Sequence, residues 1–390
     1  MKILVSEYVL SLFDSSRRNY FDLLPEAYAM TTTIAQSLIA AGCEVYLTVS
    51  SKTPGIPWGN TITVNNEDEY YYWLKHAKKY FDWVILIAPP VELTMLSEIL
   101  GEKLLGPPFN LVKIFSDKSS TINALEECSV KTPRTMLVED STSISGKLSE
   151  LNPPYVVKPT LLAGSECVYF AENESDAQRL VREAIRCDPS GRALIQEYIN
   201  GVHGSISVIY GENNYLFYSL NLQLILLSGN RLRYIGGVLP TRITTLKEKA
   251  EIVLNKLSKC YPMLRGYIGL DIVWTGEDIY VVEVNPRPTT SIIGIYELFP
   301  RLGECLVEST LKHSSKSEQL FLGDMVRDYA YYIILSEPTQ ILGNEKIISI
   351  EGSRKSILVG RSSSKSSVLN RVSELLPINN LTYDLAHSLQ

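Results

Sequence analysis

The stretch DIYVVEVNPRPTTS, residues 278–291, starts as a β-strand and ends in a stiff polar turn. Its valines favour a buried strand, yet Glu283 and Asn285 stand two residues apart, so their side chains point to the same face. Two prolines then end the strand and fix the backbone on both sides of Arg287. The stretch therefore predicts a carboxylate, an amide and a rigidly held guanidinium at one site.

The preceding stretch GYIGLDIVW, residues 266–274, pairs with it as a predicted hairpin. A loop formed by residues 276–278 would place Asp271 opposite Glu283, with Asn285 on the same face. A two-residue loop would place Asp271 on the other face. Oxygen donors without Cys or His are typical of a Mg²⁺ site completed by phosphate oxygens. The alternative is a polar, solvent-facing side of an edge hairpin.

Two lysines stand where they would neutralise the phosphates of a nucleotide. Lys158 ends the β-branched strand YVVKP and precedes a loop in which Gly164 and Ser165 offer an amide and a hydroxyl to phosphate oxygens. Lys118 lies at a predicted helix start, where the helix dipole favours anions. A solvated surface position is the ordinary alternative for each lysine taken alone.

Five motifs follow one another along the chain: Asp-Lys at 117–118, VVKP with the AGSECV loop, IQEYING at 195–201, GLDIV, and VEVNPRP. In this order they resemble the ATP-grasp superfamily of carboxylate–amine ligases, and the resemblance spans roughly the first 300 residues. Within the superfamily, the stretches ILIAPP, SDKSSTINALEECSVKTPRT and YIGGVLPTRI are most similar to the archaeal group that includes tyramine–glutamate ligase.

The resemblance implies an α/β ATP-grasp fold. The N-terminal order of strands and helices is independently typical of a small parallel sheet, and its first turn lacks the glycines of a dinucleotide-binding motif. The implied parts are an N-terminal parallel-sheet (pre-ATP-grasp) domain at 1–112, a small lobe at 113–192, a large lobe with the metal site at 193–313, and a C-terminal extension at 314–390.

The resemblance also implies an ATP site. The phosphate loop of this chain carries less glycine than that of many relatives, so its closure is expected to differ. His203 stands where relatives often have an acid for the ribose hydroxyls; a neutral imidazole can also bond a ribose, and a surface or capping histidine is the alternative. The implied ATP contacts are Lys118, Lys158, Gly164, Ser165, Gln196 at the adenine, Glu197, Tyr198 and Ile199 at the hinge, and His203.

The implied metal is Mg²⁺, with two ions the usual number and Mn²⁺ as an alternative. Asp271, Glu283 and Asn285 would hold it. Arg287 and Lys158 would act in catalysis, with Arg287 stabilising the transferred phosphoryl group or the substrate carboxylate. The reaction implied is activation of a carboxylate as an acyl phosphate, followed by amide formation with an amine; glutamate is one substrate that the narrower resemblance favours.

Two other functions use the same features. A kinase on the same fold would phosphorylate a hydroxyl with the same metal and lysines, and a non-catalytic regulator would bind the nucleotide only. The partners expected for the ligase are a small carboxylate and a small amine. Its oligomeric state stays open, with a homodimer among the states considered.

Composition sets the broad class. A formal charge of −6 and 45% apolar residues are ordinary for a globular protein and argue against broad nucleic-acid binding. The start of the chain predicts a strand rather than a signal peptide, and no apolar run is long enough for a membrane span. Six scattered cysteines predict reduced thiols, and the expected compartment is the cytoplasm.

The sequence leaves two interpretations open for each of three features. Four arginines are candidates for a substrate carboxylate, with solvated positions as the alternative. Gly236 and Gly237 predict close approach to a ligand or a turn. The Ser-rich basic piece GSRKSILVGRSSSKSS is interpreted as a solvated loop around a short strand, with a partner-docking patch as the alternative. The arginines are Arg231, Arg233, Arg242 and Arg265.

Overall fold

The structure, a computed structural model, describes residues 1–13, 21–139, 148–311 and 318–376. Within these ranges the chain forms a four-stranded parallel sheet and a mainly antiparallel sheet of thirteen strands. Half of the polar stretch EDSTSISGKLSELNPP, residues 139–154, which is predicted to be a lobe connector or surface loop, lies outside the described residues, and so does the start of the predicted extension at 314. No helix in the described ranges has the length and apolar character needed to cross a bilayer.

The N-terminal domain contains the predicted parallel sheet, in the order β3-β2-β1-β4. The strand β3 was not foreseen, because it lies at the sheet edge and Val64 is its one buried residue. The elements are β1 (Lys2–Glu7), α1 (Tyr8–Ser11), α2 (Leu24–Ala40), β2 (Glu44–Ser50), β3 (Asn60–Val64), α3 (Glu67–Lys75), α4 (Ala77–Tyr80), β4 (Trp83–Ile87) and α5 (Pro90–Leu100).

The central part of the chain supplies most of the second sheet. Its strands follow the order β13-β12-β9-β10-β11-β7-β6-β8-β5, so one sheet connects the two predicted lobes. The elements are α6 (Phe109–Ser116), α7 (Lys118–Glu127), β5 (Thr135–Val138), β6 (Tyr155–Pro159), β7 (Tyr169–Ala171), α8 (Glu174–Cys187), β8 (Ala193–Glu197), β9 (Val202–Tyr210), β10 (Tyr215–Ser228), β11 (Arg231–Leu239), α9 (Thr244–Cys260), β12 (Gly266–Trp274), β13 (Ile279–Asn285), α10 (Ile292–Leu298) and α11 (Leu302–Glu308).

The C-terminal elements join the same sheet: the short strand predicted within the Ser-rich piece is present, and it lies inside the sheet. Its strand is bonded on both edges, and residues 357–360 are buried between neighbours. Part of this basic piece is therefore an inner strand of the sheet, paired with β15 and β16. The elements are β14 (Leu320–Phe321), α12 (Leu322–Met325), β15 (Tyr329–Leu335), β16 (Glu345–Ser349), β17 (Ser356–Ser362) and α13 (Lys365–Leu375).

The hairpin β12–β13 brings Asp271 opposite Glu283, by a route that differs from the predicted loop. The connection spans residues 275–278 rather than three residues, and by itself it would set Asp271 against Val282. A β-bulge at Val282 shifts the register by one residue, so that Asp271 pairs with Glu283. The two carboxylates share a face because of the bulge.

Helix α2 packs the N-terminal domain against the large lobe. One apolar core contains residues of β1, β2 and α2 together with residues of α10, α11, β15 and β17. At its closest point Gly303 of α11 packs on Ser37 of α2, and a Cβ at Gly303 would lie 2.1 Å from the Ser37 carbonyl oxygen. The Gly303 amide also donates to Ser37 Oγ. The absence of a side chain here allows the two domains to meet.

The expectation of six reduced cysteines is wrong. Cys128 is bonded to Cys260, and Cys167 is bonded to Cys187, with Cα atoms 6.0 and 6.5 Å apart. The partners lie 132 and 20 residues apart in sequence, so their pairing follows from tertiary packing and has no local signature. Cys43 and Cys305 remain as thiols.

We expect two titratable thiols per chain when the protein is unfolded in guanidinium without reductant, and six after reduction. In the native protein Cys305 should not react, because burial raises its pKa to about 12. A thiol reagent such as 5,5′-dithiobis(2-nitrobenzoate) measures all three states. Six thiols in the unreduced, unfolded protein would contradict the two disulfides.

Gly303→Ala should destabilise the protein by about 1–3 kcal/mol, because the added methyl group overpacks the contact between α2 and α11. Denaturant unfolding measures the change. The control is Gly343→Ala, where an added Cβ meets no atom within 4 Å and which should shift stability by less than about 0.5 kcal/mol. Equal stability of the two variants would refute the close contact.

Candidate active site

One cleft of about 260 Å³ collects every residue that the sequence singled out for ATP, metal and catalysis. Its walls come from the small-lobe strands β6 and β8, the loop between β6 and β7, and the large-lobe strands β9, β12 and β13. The predicted residues in its lining are Lys118, Lys158, Gly164, Ser165, Gln196, Glu197, Tyr198, Ile199, His203, Asp271, Glu283, Asn285 and Arg287. The structure thus brings the whole predicted set together.

Asp271 and Glu283 form the acidic centre of the cleft. Gln223 Nε2 donates to Asp271 Oδ1 at 2.8 Å, and Asn285 Nδ2 lies 3.4 Å from Asp271 Oδ2. Burial, with the charge of Glu283 next in effect, raises the pKa of Asp271 to about 7. Two carboxylates that raise each other's energy in a buried site form a fitting place for a divalent cation.

The donor set fits Mg²⁺ in its chemistry. Across the described ranges no group of three or more His, Cys, Asp or Glu side chains is arranged to hold a metal. Asp271 and Glu283, with the Asn285 amide beside them, thus provide only part of a coordination shell. Mg²⁺ is commonly held in this way, with phosphate oxygens and waters completing its octahedron.

Two buried lysines face this centre. Lys158 Nζ donates to the carbonyl oxygen of Val282 at 3.2 Å, so the bulge residue also orients this cation. Burial lowers the pKa of Lys158 to about 8, although the charge of Glu283 opposes the shift. Lys118 Nζ lies 3.3 Å from Glu283 Oε1 and donates to the carbonyl oxygen of Leu162. Both ammonium groups therefore lie where a polyphosphate would meet them.

The helix α7 starts at Lys118 for a local reason. Asp117 Oδ1 accepts hydrogen bonds from the amides of Ser119 and Ser120, which makes Asp117 the N-cap. Arg192 Nη2 contacts the other carboxylate oxygen at 2.5 Å. The cap thus fixes the first turn of α7 and with it the backbone of Lys118.

The loop between β6 and β7 crosses the cleft with left-handed backbone at successive positions. Gly164 has φ +67° and Ser165 has φ +60°. Such turns leave amide groups directed to one side, which suits an anion. Ser165 Oγ accepts from the Tyr234 amide at 3.3 Å, and the disulfide of Cys167 ties the loop to the end of α8. The loop is held at both its tip and its base.

The segment after β8 forms the hinge edge of the cleft. Gln196 is 2% exposed, and its side-chain amide donates to Thr135 Oγ1 at 2.8 Å. The backbone amides of Glu197 and Tyr198 donate to the carbonyl oxygens of Arg134 and Pro154. The Ile199 amide and the carbonyl oxygens of the segment are therefore the backbone groups that we assign to an adenine edge.

His203 lies in β9, paired with Val273 across the sheet, and faces the same cleft. Burial lowers its pKa to about 4, so the imidazole is neutral at physiological pH. A neutral imidazole can donate one hydrogen bond and accept another, which suits a ribose hydroxyl.

Arg287 lines the same cleft as the acidic centre. Its Nη1 donates to the carbonyl oxygen of Pro288 at 3.0 Å, and its amide donates to the Asn285 carbonyl at 2.8 Å. Its charge lowers the pKa of both Asp271 and Glu7, although burial raises the pKa of Glu7 to about 7. The turn between the two prolines thus holds a guanidinium whose charge acts on the carboxyl groups of Asp271 and Glu7.

The four arginine candidates for a substrate carboxylate lie outside the cleft lining. Arg242 donates to the carbonyl oxygens of residues 323, 326 and 328, which makes it a structural tie for the turn around α12. Gly236 and Gly237 serve close packing on Tyr332 of β15, rather than ligand contact or a turn. Three of the arginines lie over aromatic rings: Arg231 over Tyr169, Arg242 over Tyr329 and Arg265 over Trp83.

Part of the cleft is lined by residues that no sequence pattern assigns to a site. They come from separate elements, and each is an ordinary member of its helix, strand or loop. Gly236 and Gly237, which pack on Tyr332, are the nearest sequence signal. The missed lining residues include Leu23, Glu26, Gln223, Tyr234, Thr290, Tyr332 and Lys355.

Comparisons with known proteins agree with the predicted fold and superfamily. A family model described as an ATP-grasp domain matches residues 115–291. Tyramine–L-glutamate ligase of Methanocaldococcus jannaschii is 30% identical over 271 residues, which is 66% of this chain and 74% of the relative. The enzyme of the same name from Methanocaldococcus fervens is 30% identical over 241 residues, 60% of this chain and 68% of the relative.

A solved structure extends the likeness over the whole fold. Phosphoribosylamine–glycine ligase from Thermotoga maritima matches with a TM-score of 0.68 at 16% identity, covering 98% of this chain and 97% of that chain. The predicted α/β ATP-grasp fold is thereby confirmed. The chain belongs to the ATP-grasp superfamily and, like the relatives that it matches, is an ATP-dependent ligase that forms carbon–nitrogen bonds.

Proposed function

We propose that this protein uses ATP and Mg²⁺ to activate a carboxylate as an acyl phosphate and then joins the acyl group to an amine. The observation that carries the proposal is the cleft in which Asp271 and Glu283 face each other beside Lys118, Lys158 and Arg287. This set supplies a cation site and three fixed positive charges, which is what phosphoryl transfer requires of a protein.

The first step transfers the γ-phosphoryl group of ATP to a carboxylate oxygen of the acid, and ADP leaves. Lys118 and Lys158 bind the phosphates and neutralise their charge, while Arg287 stabilises the charge on the transferred group. Asp271, Glu283 and Asn285 would hold Mg²⁺, which supplies further neutralisation of the β- and γ-phosphates when bound. The planar fork of arginine suits the last position, since it engages two oxygens at once.

In the second step the amine nitrogen attacks the acyl carbon, phosphate leaves and the amine loses a proton. The substrate acid supplies the attacking oxygen of the first step, so the protein needs no nucleophile of its own. The cysteines agree with this, because four are in disulfides and Cys305 is buried with a raised pKa. The loop at Gly164 and Ser165 covers the phosphates and keeps water from the acyl phosphate.

L-Glutamate is the acid or amine partner that the comparisons favour. Both curated relatives described above carry L-glutamate in their names, and tyramine is the other substrate in those names. We extend L-glutamate to this chain as the acid that is activated, since the cleft offers cations beside the expected position of the γ-phosphate. Tyramine is the first amine to test.

The wild-type protein should form a hydroxamate from L-glutamate when it is incubated with ATP, Mg²⁺ and hydroxylamine, because hydroxylamine traps an acyl phosphate. Ferric chloride colour and mass spectrometry measure the product, and ADP release gives its stoichiometry. A stable phosphorylated alcohol from a hydroxy compound would instead identify a kinase. ATP binding without ADP release across a broad panel of acids would identify a non-catalytic binder.

Glu283→Gln should lower the rate of ADP release on the order of 10³-fold, because loss of a metal-binding carboxylate removes several kcal/mol of transition-state stabilisation. The Mg²⁺ concentration needed for half-maximal rate should rise as well. The control is Glu277→Gln, an exposed position in the turn of the same hairpin, which should leave both values unchanged. Wild-type turnover in Glu283→Gln would remove the proposed metal site.

A further inference from the structure

The cleft also contains residues that lie outside the motifs assigned to the nucleotide and the metal. We call this part of the cleft the distal pocket and define it by six residues that come from the N-terminal domain, the sheet and the C-terminal hairpin. None of these elements belongs to the hinge or to the phosphate loop. The six residues are Glu26, Tyr234, Thr290, Tyr332, Ile334 and Lys355.

Glu26 provides the negative charge of the distal pocket. It lies in the first turn of α2, is half-buried, and accepts a hydrogen bond from Thr290 Oγ1 through Oε1. Thr290 follows Arg287 in the same loop, so the proline-rich turn fixes both groups. Within the described residues no Lys, Arg or His forms an ion pair with Glu26. Its carboxylate is thus held in place without a cation of its own.

Lys355 provides a positive charge from the opposite end of the chain. It stands in the turn between β16 and β17, where its amide donates to Ser353 Oγ at 3.1 Å. That turn packs on the segment before α2: Arg354 pairs with Asp22 at 2.7 Å, and a Cβ at Gly352 would lie 2.9 Å from Phe21. No acid in the described part of the chain pairs with Lys355, in contrast to its neighbour Arg354.

Two hydrogen-bonded tyrosines line the distal pocket near Glu26. Tyr234 donates from its hydroxyl to the Tyr332 hydroxyl at 2.7 Å, and burial raises the pKa of both phenols well above the ordinary value. Both therefore stay neutral. The Tyr234 amide also donates to Ser165, so this pair of tyrosines and the phosphate loop are joined. The distal pocket is consequently held in register with the nucleotide end of the cleft.

We infer that the distal pocket recognises an acidic amino acid, with Glu26 binding its ammonium group and Lys355 binding the carboxylate that is not activated. The inference rests on the proposed ligase function, which places the reacting carboxylate near Arg287. Glu26 and Lys355 of the distal pocket, together with Arg287 of the same cleft, provide one anion and two cations, which match one ammonium and two carboxylates in the ligand. A simple dicarboxylic acid would leave Glu26 without a partner, and an amino acid with one carboxylate would leave Lys355 without one, and each is unfavourable in a partly buried site.

This assignment gives the C-terminal hairpin a part in substrate selection. The matched ATP-grasp domain ends at residue 291, so both Glu26 and Lys355 lie outside it. Specificity for the acid then depends on how helix α2 and the turn between β16 and β17 meet at the cleft. Changes at either residue should alter the choice of acid while the handling of ATP stays the same.

Three probes that differ by one charged group test the two residues separately. They are L-glutamate, glutarate, which lacks the ammonium group, and 4-aminobutyrate, which lacks one carboxylate. Hydroxamate formation gives KM for each acid that reacts, and competition against L-glutamate gives an inhibition constant for each that does not. The variants are Glu26→Gln and Lys355→Met, with Lys346→Met as the matched control on the exposed face of the same hairpin.

Glu26→Gln should weaken L-glutamate about tenfold or more and leave glutarate unchanged, since only the first ligand carries the ammonium group. Lys355→Met should weaken L-glutamate and glutarate by a similar factor and leave 4-aminobutyrate unchanged. KM for ATP should stay the same in both variants, as should all values in Lys346→Met. Equal weakening of all three probes in either variant would mean a structural role and would overturn the inference.

Direct binding separates this inference from the proposed function. Calorimetric titration of L-glutamate into the protein with ADP and Mg²⁺ measures recognition without chemistry. If L-glutamate binds and both variants weaken it, but no hydroxamate forms with any acid, the ligase function fails and the inference stands. If hydroxamate forms from other acids while L-glutamate does not bind, the function stands and the inference is overturned.

Discussion

The site depends on two carboxylates that the fold holds face to face where water has little access. Asp271 is half-buried, and the charge of Glu283 adds to the effect of burial in raising its pKa. Such a pair is unfavourable unless cations lie beside it, and Lys118 and Lys158 supply two. The pair can accept further positive charge, which is why we propose a metal ion together with a polyphosphate at this place.

A single inserted residue produces this geometry. Side chains alternate between the two faces of a strand, so a shift of one residue moves a carboxylate from one face to the other. The bulge at Val282 makes that shift inside β13, after a connection whose length alone would have set Asp271 against an apolar neighbour. Val282 therefore has two roles: it shifts the register of the hairpin, and its carbonyl oxygen accepts a hydrogen bond from Lys158 Nζ.

The two ends of the cleft are built in different ways. The nucleotide end consists of short segments in which neighbouring residues act together, such as the N-cap at Asp117 with Lys118, and the turn at Gly164 and Ser165. The other end is assembled from helix α2, strand β15 and the β16–β17 turn, which meet only because one core joins the N-terminal domain to the C-terminal strands. Close contact at Gly303 is part of that junction.

The sequence by itself determined the superfamily, the parallel N-terminal sheet and the set of residues around the nucleotide, because each depends on neighbours in the chain: strand patterns, caps, a loop with glycine, and prolines around Arg287. It did not determine the disulfides, the bulge, the burial of β17 or the residues of the distal pocket. Those depend on which distant segments pack together, and a group such as Lys355 has no local pattern that distinguishes it from a solvated lysine. Only the tertiary structure decided that Glu26 and Lys355 face the same cleft, since packing across more than 300 residues of chain brings them there.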